Sequence, residues 1–403
     1  MPTARRPLWA GRTLALLGIV LVALNLRTAV ASLSPVLTAL EDELTLAPTV
    51  VGFLGMLPPL CYAILGILTP LIAKRFDLEP TLVVALVALS IGLLARGLAG
   101  DALQLVLASA LTFAAIGVGN VLLPPLVKRY FPDRIGLMTA VYVTAFSVST
   151  LFPPLIAVPV ADAAGWRVSL GEWGLVAALA LVPWIAIMVR PHVDRATDLP
   201  EEAERGLLRR AFRSPLAWAL AVLLSIPGFN AYALFAWLPP ILHDIAGTTP
   251  AEAGALLALY AAVGLPGSVL VPIVAARWGR VKLLVGIAIA SFVVGYLGLL
   301  LVPATATWLW VALAGNGPLL FPLSLVLVNL RTRTHAGAVA LSGFAQPVGY
   351  LLVAIGPLAV GLLHEAFGGW TLPLVALLAT IVPAAIAGAV AARPRYFEDE
   401  RTA

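Results

Sequence analysis

The sequence predicts an all-α membrane protein: twelve transmembrane helices in two six-helix halves, with both termini cytoplasmic. Three observations predict it. Of 403 residues, 61% are hydrophobic and 11% charged, where an ordinary soluble domain is roughly 25% charged. The apolar residues collect into uncharged runs of helical length, and one transmembrane helix takes about 20 of them. The basic residues fall in every second loop, as cytoplasmic loops require. A soluble enzyme, a coiled coil and a disordered chain are excluded by the same numbers, since none is built from long uncharged apolar runs.

The first run, 13–40, follows Arg5, Arg6 and Arg12. It is too long for the apolar core of a signal peptide and lacks a small-residue cleavage site, so it reads as a first span. Five more spans are expected over 49–73, 80–99, 102–127, 135–161 and 171–190. Six others follow over 215–242, 251–275, 281–302, 306–330, 337–363 and 371–391. Lys74 and Arg75 follow span 2, and Lys128, Arg129 and Arg134 follow span 4. Six arginines from Arg190 to Arg213 separate spans 6 and 7; Arg277, Arg280 and Lys282 follow span 8; Arg331 and Arg333 follow span 10; Arg393, Arg395 and Arg401 close the chain. Alternate loops therefore hold 22 of the 25 basic residues, which places both termini in the cytoplasm. Glu41, Asp42, Glu43, Asp244 and Glu365 mark the opposite loops. Arg96 and Arg167 fall at external helix ends, and Arg27 stands apart. Because the net charge of +5 is spread between spans, it reads as membrane topology and not as a nucleic-acid surface. Cys61, the sole cysteine, excludes an intrachain disulfide. No metal, cofactor or ATP-binding motif is present.

The longest polar stretch, 191–213, divides the spans six and six, so the chain reads as an N-terminal bundle over 1–190, a cytoplasmic linker over 191–213 and a C-terminal bundle over 214–403. The halves echo one another. Pro70-Leu-Ile-Ala-Lys-Arg-Phe after span 2 matches Pro272-Ile-Val-Ala-Ala-Arg-Trp after span 8, at an offset of 202. Gly136 and Gly337 open spans 5 and 11, Pro124 and Pro322 fall late in spans 4 and 10, and Asn120 and Asn316 precede them. A duplicated six-helix unit explains all of these.

Gly267 through Ala276-Arg277-Trp278-Gly279-Arg280-Val281-Lys282 resembles the loop motif of the major facilitator superfamily, with Ala276 where an Asp is usual. The first-half copy departs further, with Lys74 at the Asp position and Asp77 at the Gly position. A sharper resemblance is to the cyanate and 2-nitroimidazole transporter subfamily. It is carried by Asn25-Leu26-Arg27-Thr28, by Leu123-Pro-Pro-Leu-Val-Lys128-Arg129, and by Gly349-Tyr350, Gly356-Pro357, Gly361-Leu-Leu-His364-Glu365 and Gly369-Trp370 around span 11. The resemblance implies the major facilitator fold, whose halves are related by an axis along the membrane normal and hold solute at mid-depth between them. It implies transport of a small solute across a bacterial inner membrane, in a lipid-embedded chain expected to be a monomer.

Arg27 is the candidate anchor. It lies about 22 Å along span 1 at 1.5 Å per residue, past the middle of a core about 30 Å thick. A charge there costs from about 2.5 to over 10 kcal/mol and persists only where protein, water or ligand compensates it. All twenty acids fall in loops or at helix ends, as do the four histidines, so none is expected to pair with Arg27. The cavity would be net positive, and a planar guanidinium suits two oxygens of a carboxylate or nitro group. The alternative is an arginine clamping helix-terminal carbonyls. Neutral groups at similar depth complete the candidate set: Asn25 and Thr28, Asn120, Tyr142, Asn230, Tyr232, Tyr260, Asn316 and Gln346. Each could equally be interhelical glue or packing. Asn230 ranks first, because Pro227-Gly228 before it is expected to break span 7 locally. Trp237 and Phe235 could stack on a planar solute or simply pack. Arg75 and Arg277, matched across the repeat, are expected to gate the cytoplasmic side by bonding neighbouring helix ends. A membrane enzyme using His243-Asp244, or a sensor without flux, is the rival reading.

Overall fold

The computed structural model describes residues 12–44, 46–189 and 205–400; most of the expected linker lies outside them. Twelve helices are long and apolar enough to cross a membrane. They are α1 Thr13–Glu41, α2 Pro48–Phe76, α3 Leu78–Gly97, α4 Ala102–Tyr130, α5 Ile135–Ala164 and α6 Trp166–Met188. The others are α7 Pro215–Ala246, α8 Pro250–Trp278, α9 Val281–Leu301, α10 Thr307–Leu330, α11 His335–Phe367 and α12 Thr371–Ala391. Number and order agree with the sequence expectation. Several helices outrun their apolar core: α2 and α4 carry Lys74, Arg75, Lys128 and Arg129 in their last turns, where cations meet the negative end of the helix dipole.

Polar caps set the helix boundaries. Asp101 accepts from the Gln104 N–H at 2.8 Å and opens α4. Ser214 accepts from Ala217 N at 2.9 Å and opens α7, Thr249 forms a capping box with Glu252 at α8, and Thr334 accepts from Gly337 N at 3.0 Å at α11. Asp77 alone joins α2 to α3 at φ 68°, the one non-glycine residue at positive φ among those described. Its carboxylate accepts from Leu78 N at 2.7 Å and from Arg129 Nη1 at 2.7 Å, interactions that offset a conformation costing about 1–2 kcal/mol.

An even number of crossings puts the start of α1 and the end of α12 on one side, the terminal side, and leaves the opposite face as the far side. α3 packs on α4 and α6, and α1 on α5 and α6; in the second set, α7 packs on α11, α12 and α10. The two sets meet where α2 lies against α11 and α5 against α8. That meeting is tight on the far side. A Cβ added to Gly52 would lie 2.9 Å from Pro357 O, and one on Gly254 would lie 2.6 Å from Pro154 O. Toward the terminal side, a Cβ added to Gly66 of the same helix α2 would meet no atom within 4 Å. Close backbone contact between the sets is thus present on the far side and absent at Gly66 on the terminal side.

Three local features depart from the sequence reading. α1 is interrupted: its first segment ends at Asn25, a single turn covers Thr28–Ala31, and Ser34–Val36 is 3-10. α10 tightens to 3-10 over Gly317–Leu319. α7, expected to break at Pro227-Gly228, instead runs unbroken through them. Gly228 serves packing there, since a Cβ on it would lie 2.6 Å from a Val353 methyl of α11.

The tail also folds back. Phe397 is fully buried in the core of the second set. Glu398 accepts from the Arg333 and Thr334 N–H groups at 3.0 and 3.1 Å, and Glu400 accepts from Leu216 N at 3.3 Å and from the Ser214 hydroxyl. Arg210, on a short helix Arg205–Ala211, donates to the Glu398 carbonyl at 2.9 Å.

Candidate functional site

The break in α1 falls at Leu26-Arg27, so the Arg27 side chain leaves the helix at mid-depth, where the two sets of helices face each other. Its guanidinium donates to the Tyr232 hydroxyl of α7. Its Cζ lies 4.7 Å from the ring centroid of Phe146 on α5, 5.4 Å from that of Tyr232 and 5.6 Å from that of Tyr62 on α2. Tyr350 of α11 meets Tyr62 edge-on, with centroids 6.3 Å apart. Each cation–π contact contributes about 0.5–2 kcal/mol, so several rings together offset a cost of about 2.5–3.5 kcal/mol on insertion scales. Among the described residues no carboxylate pairs with Arg27. Half-buried, the guanidinium keeps donors that Tyr232 does not use.

Tyr232 is thus the one neutral candidate bonded to Arg27. Thr28, buried beside it, donates to Asn25 O at 3.2 Å within the break. Tyr142 sits one turn from Phe146 on α5, and Gln346 one turn from Tyr350 on α11, both toward the terminal side and both half-buried. Gln346 also donates to Ser342 Oγ at 2.7 Å. Asn120 is half-buried on α4, next to Gly119, whose missing side chain makes room for Leu26. Tyr260 is buried on α8 against Phe235, ring centroids 5.8 Å apart, and its hydroxyl has no hydrogen-bond partner.

Three asparagines are not brought to Arg27. Asn25 is fully buried and donates to Leu21 O at 2.8 Å, facing α6. Asn230, ranked first from the sequence, is fully buried inside the second set. It donates to Ile226 O at 2.8 Å and to Thr380 Oγ1 of α12 at 3.0 Å, and accepts from the Tyr296 hydroxyl of α9 at 2.7 Å. Asn316 donates to Ser291 Oγ at 2.9 Å, joining α10 to α9. Trp237 is likewise packed inside, donating to Pro357 O at 2.9 Å. Phe235 lines a small, largely apolar cavity on the far side of Arg27, with Leu33, Ser34, Leu54, Phe113 and Tyr232.

Arg75 and Arg277 are exposed on the terminal side. Arg75 lies over the ring of its own neighbour Phe76 at 5.4 Å, and among the described residues neither arginine is hydrogen-bonded to a neighbouring helix end. The polar ties between the two sets lie elsewhere. Besides Arg27 to Tyr232, the Ser34 hydroxyl donates to Phe235 O at 2.6 Å, and Glu365 accepts from Thr49 N at 3.2 Å at the start of α2 and from the Thr49 hydroxyl.

Sequence reasoning missed Phe146, Tyr62 and Tyr350 as site residues. Tyrosines in spans favour the two interfaces, so a tyrosine in the middle of a span was the available signal, and Tyr62 and Tyr350 both carry it.

The chain matches the model of the Major Facilitator Superfamily over residues 15–353. It is 34% identical to the "Uncharacterized transporter YycB" of Bacillus subtilis, over 95% of both chains. It is 31% identical to the 2-nitroimidazole transporter of Escherichia coli, over 95% of this chain and 96% of that one. With the cyanate transport protein CynX of the same organism the figure is 26%, over 88% and 91%. Among solved structures, a bacterial homologue of the human lysosomal transporter Spinster, inward-facing and unoccupied, superposes with a TM-score of 0.78 at 18% identity, covering 99% of this chain and 100% of that one. A twelve-helix bundle with a polar station between its halves, matched by transporters over nearly its whole length, has one reading: the chain belongs to the major facilitator superfamily, as a multi-pass membrane transporter and not an enzyme.

Proposed function

We propose that this chain carries a small planar anionic or strongly dipolar solute, of the cyanate, nitroaromatic or carboxylate kind, across a bacterial inner membrane by alternating access. The observation that carries the proposal is Arg27: a mid-depth cation ringed by Phe146, Tyr62 and Tyr232 with no acid to neutralise it among the described residues. The rings suit a flat solute face, and the open guanidinium edge suits its oxygens. Tyr232 bridges the halves, because its oxygen accepts from Arg27 while its own proton remains to be donated to the solute. The lateral candidates Tyr142 and Gln346 line the approach from the terminal side, which the loop arginines mark as cytoplasmic. Residues 1–190 and 214–403 move as two bundles joined by 191–213, in a monomer. In the outward-facing state, the exposed Arg75 and Arg277 swing onto the helix ends of the closing cytoplasmic face. A net-positive, otherwise neutral polar site without a buried carboxylate or histidine favours exchange, facilitation or export over proton symport.

The test is binding and flux of 2-nitroimidazole, cyanate and benzoate in proteoliposomes. Arg27→Ala is expected to abolish both for whichever probe the wild type takes, while the protein remains folded. Arg27→Lys should bind poorly as well, since an ammonium offers a point charge in place of a planar fork. Wild-type affinity in Arg27→Ala would refute the anchor, and an unfolded variant would favour the carbonyl-clamp role.

A further inference from the structure

Arg27 is not the only arginine inside the bundle. Arg96, expected at an external helix end, does sit in the last turn of α3, but its side chain turns inward and is fully buried. Its Nη1 donates to the Ala29 carbonyl at 3.0 Å, and its Cζ lies 5.8 Å from the Phe113 ring of α4. Nε and Nη2 have no hydrogen-bond partner, and no carboxylate is paired with it among the described residues. A buried charge with so little compensation is retained for a reason other than stability.

The reason lies in what Ala29 does. It belongs to the single turn Thr28–Ala31 between the two interruptions of α1, and the chain goes over to 3-10 at Ser34. A regular helix would offer the Ala29 carbonyl the N–H of Leu33. Here the carbonyl instead accepts from Arg96 across the helix pair, and buried carbonyls need such a partner. Two residues before Ala29 stands Arg27, whose departure from the helix depends on this stretch keeping its irregular path.

We propose that Arg96 is a positioning residue for solute binding. Its guanidinium fixes the interrupted segment of α1 through the Ala29 carbonyl, and that segment aims Arg27 at the aromatic ring set. Arg96 touches no solute; it acts through Arg27. The affinity arm of the test rests on the transport reading above, whereas the backbone arm does not.

Arg96→Gln and Arg96→Lys are prepared in nanodiscs beside wild type. Amide hydrogen exchange over residues 26–36 is expected to accelerate in Arg96→Gln, with α9 unchanged, because the freed carbonyl no longer has its donor. With 2-nitroimidazole as probe, KM should rise about tenfold, the scale expected when a binding group shifts by a fraction of an ångström, with Vmax per folded protein unchanged. Arg96→Lys, which can still donate to Ala29, should recover most of both. Unchanged exchange over 26–36 overturns the proposal, as does acceleration spread evenly over all spans. Faster local exchange with an unaltered KM also overturns it. Should Arg96→Gln not fold, Arg96→Lys alone decides: exchange over 26–36 and KM that both stay near wild type support the proposal, and protection near wild type with a KM raised about tenfold or more overturns it. If wild type itself takes no probe, the solute reading fails while the exchange comparison still judges Arg96.

Discussion

Gly52→Ala is expected to tip the carrier toward its far-side-open state. Gly52 sits where α2 crosses α11, and an added Cβ would lie 2.9 Å from Pro357 O and 3.0 Å from Leu358 Cα. Both are backbone atoms and cannot rotate away. Ordinary contact begins at 3.4 Å, so the two helices must separate by about half an ångström, and overpacking of this kind costs about 1–3 kcal/mol. The cost applies only while the far side is closed. The gain in helix propensity from Gly to Ala, about 1 kcal/mol, is common to both states and cancels. A penalty of about 1–3 kcal/mol shifts the ratio of states about 5- to 150-fold. The assay is the labelling rate of a cysteine at Leu33, which lines the far-side cavity, in a Cys61→Ala background, with an impermeant thiol reagent on the side opposite the termini of oriented proteoliposomes. Gly66→Ala is the control, since its added Cβ would meet nothing within 4 Å. An unchanged labelling rate in Gly52→Ala, or an equal rise in Gly66→Ala, would refute the argument that backbone contact at α2 and α11 holds the far side shut.

Three further outcomes are expected, away from the transport path. Arg129→Met should lower stability by about 3–5 kcal/mol, read as a drop in Tm, because it strands Glu79, which is buried and bonded to Arg129 at 2.8 Å and to the Tyr130 hydroxyl at 2.5 Å; adding Glu79→Gln should restore part of the loss. Phe397→Ala should cost about 3–5 kcal/mol for a fully buried ring and loosen the start of α11. In the same tail, burial pushes the Glu398 carboxyl up, but its own backbone N–H, those of Arg333 and Thr334, and the Thr334 hydroxyl outweigh it and hold it below its ordinary 4.5. A carboxyl depressed in the folded state stabilises above its unfolded value and loses that contribution as pH falls below it, so Glu398→Gln should flatten the acid side of the Tm–pH profile.

The twelve spans were legible because a bilayer fixes the length of an apolar run, and charge placement in the loops needs no knowledge of packing. Arg27 was legible for the same reason: a charge at depth is costly wherever its helix points. What the sequence did not disclose is the direction in which each neutral side chain faces. Asn230 and Tyr232 are two residues apart on α7, about 200° around the helix, so if one faces Arg27 the other cannot. The Pro227-Gly228 signal favoured Asn230, yet the glycine was there to admit Val353, and α7 stayed whole. The real break, at Leu26-Arg27, contains neither proline nor glycine. Just after it, the Ala29 carbonyl takes its donor from Arg96, 67 residues away, where the local chain provides none. Irregular backbone inside a membrane must be satisfied by protein or water, so the position of such a break depends on donors in neighbouring helices, which a one-dimensional reading of α1 does not contain. A buried arginine without an acid is where that donor should be sought, and in this chain the second such arginine pointed back to the first.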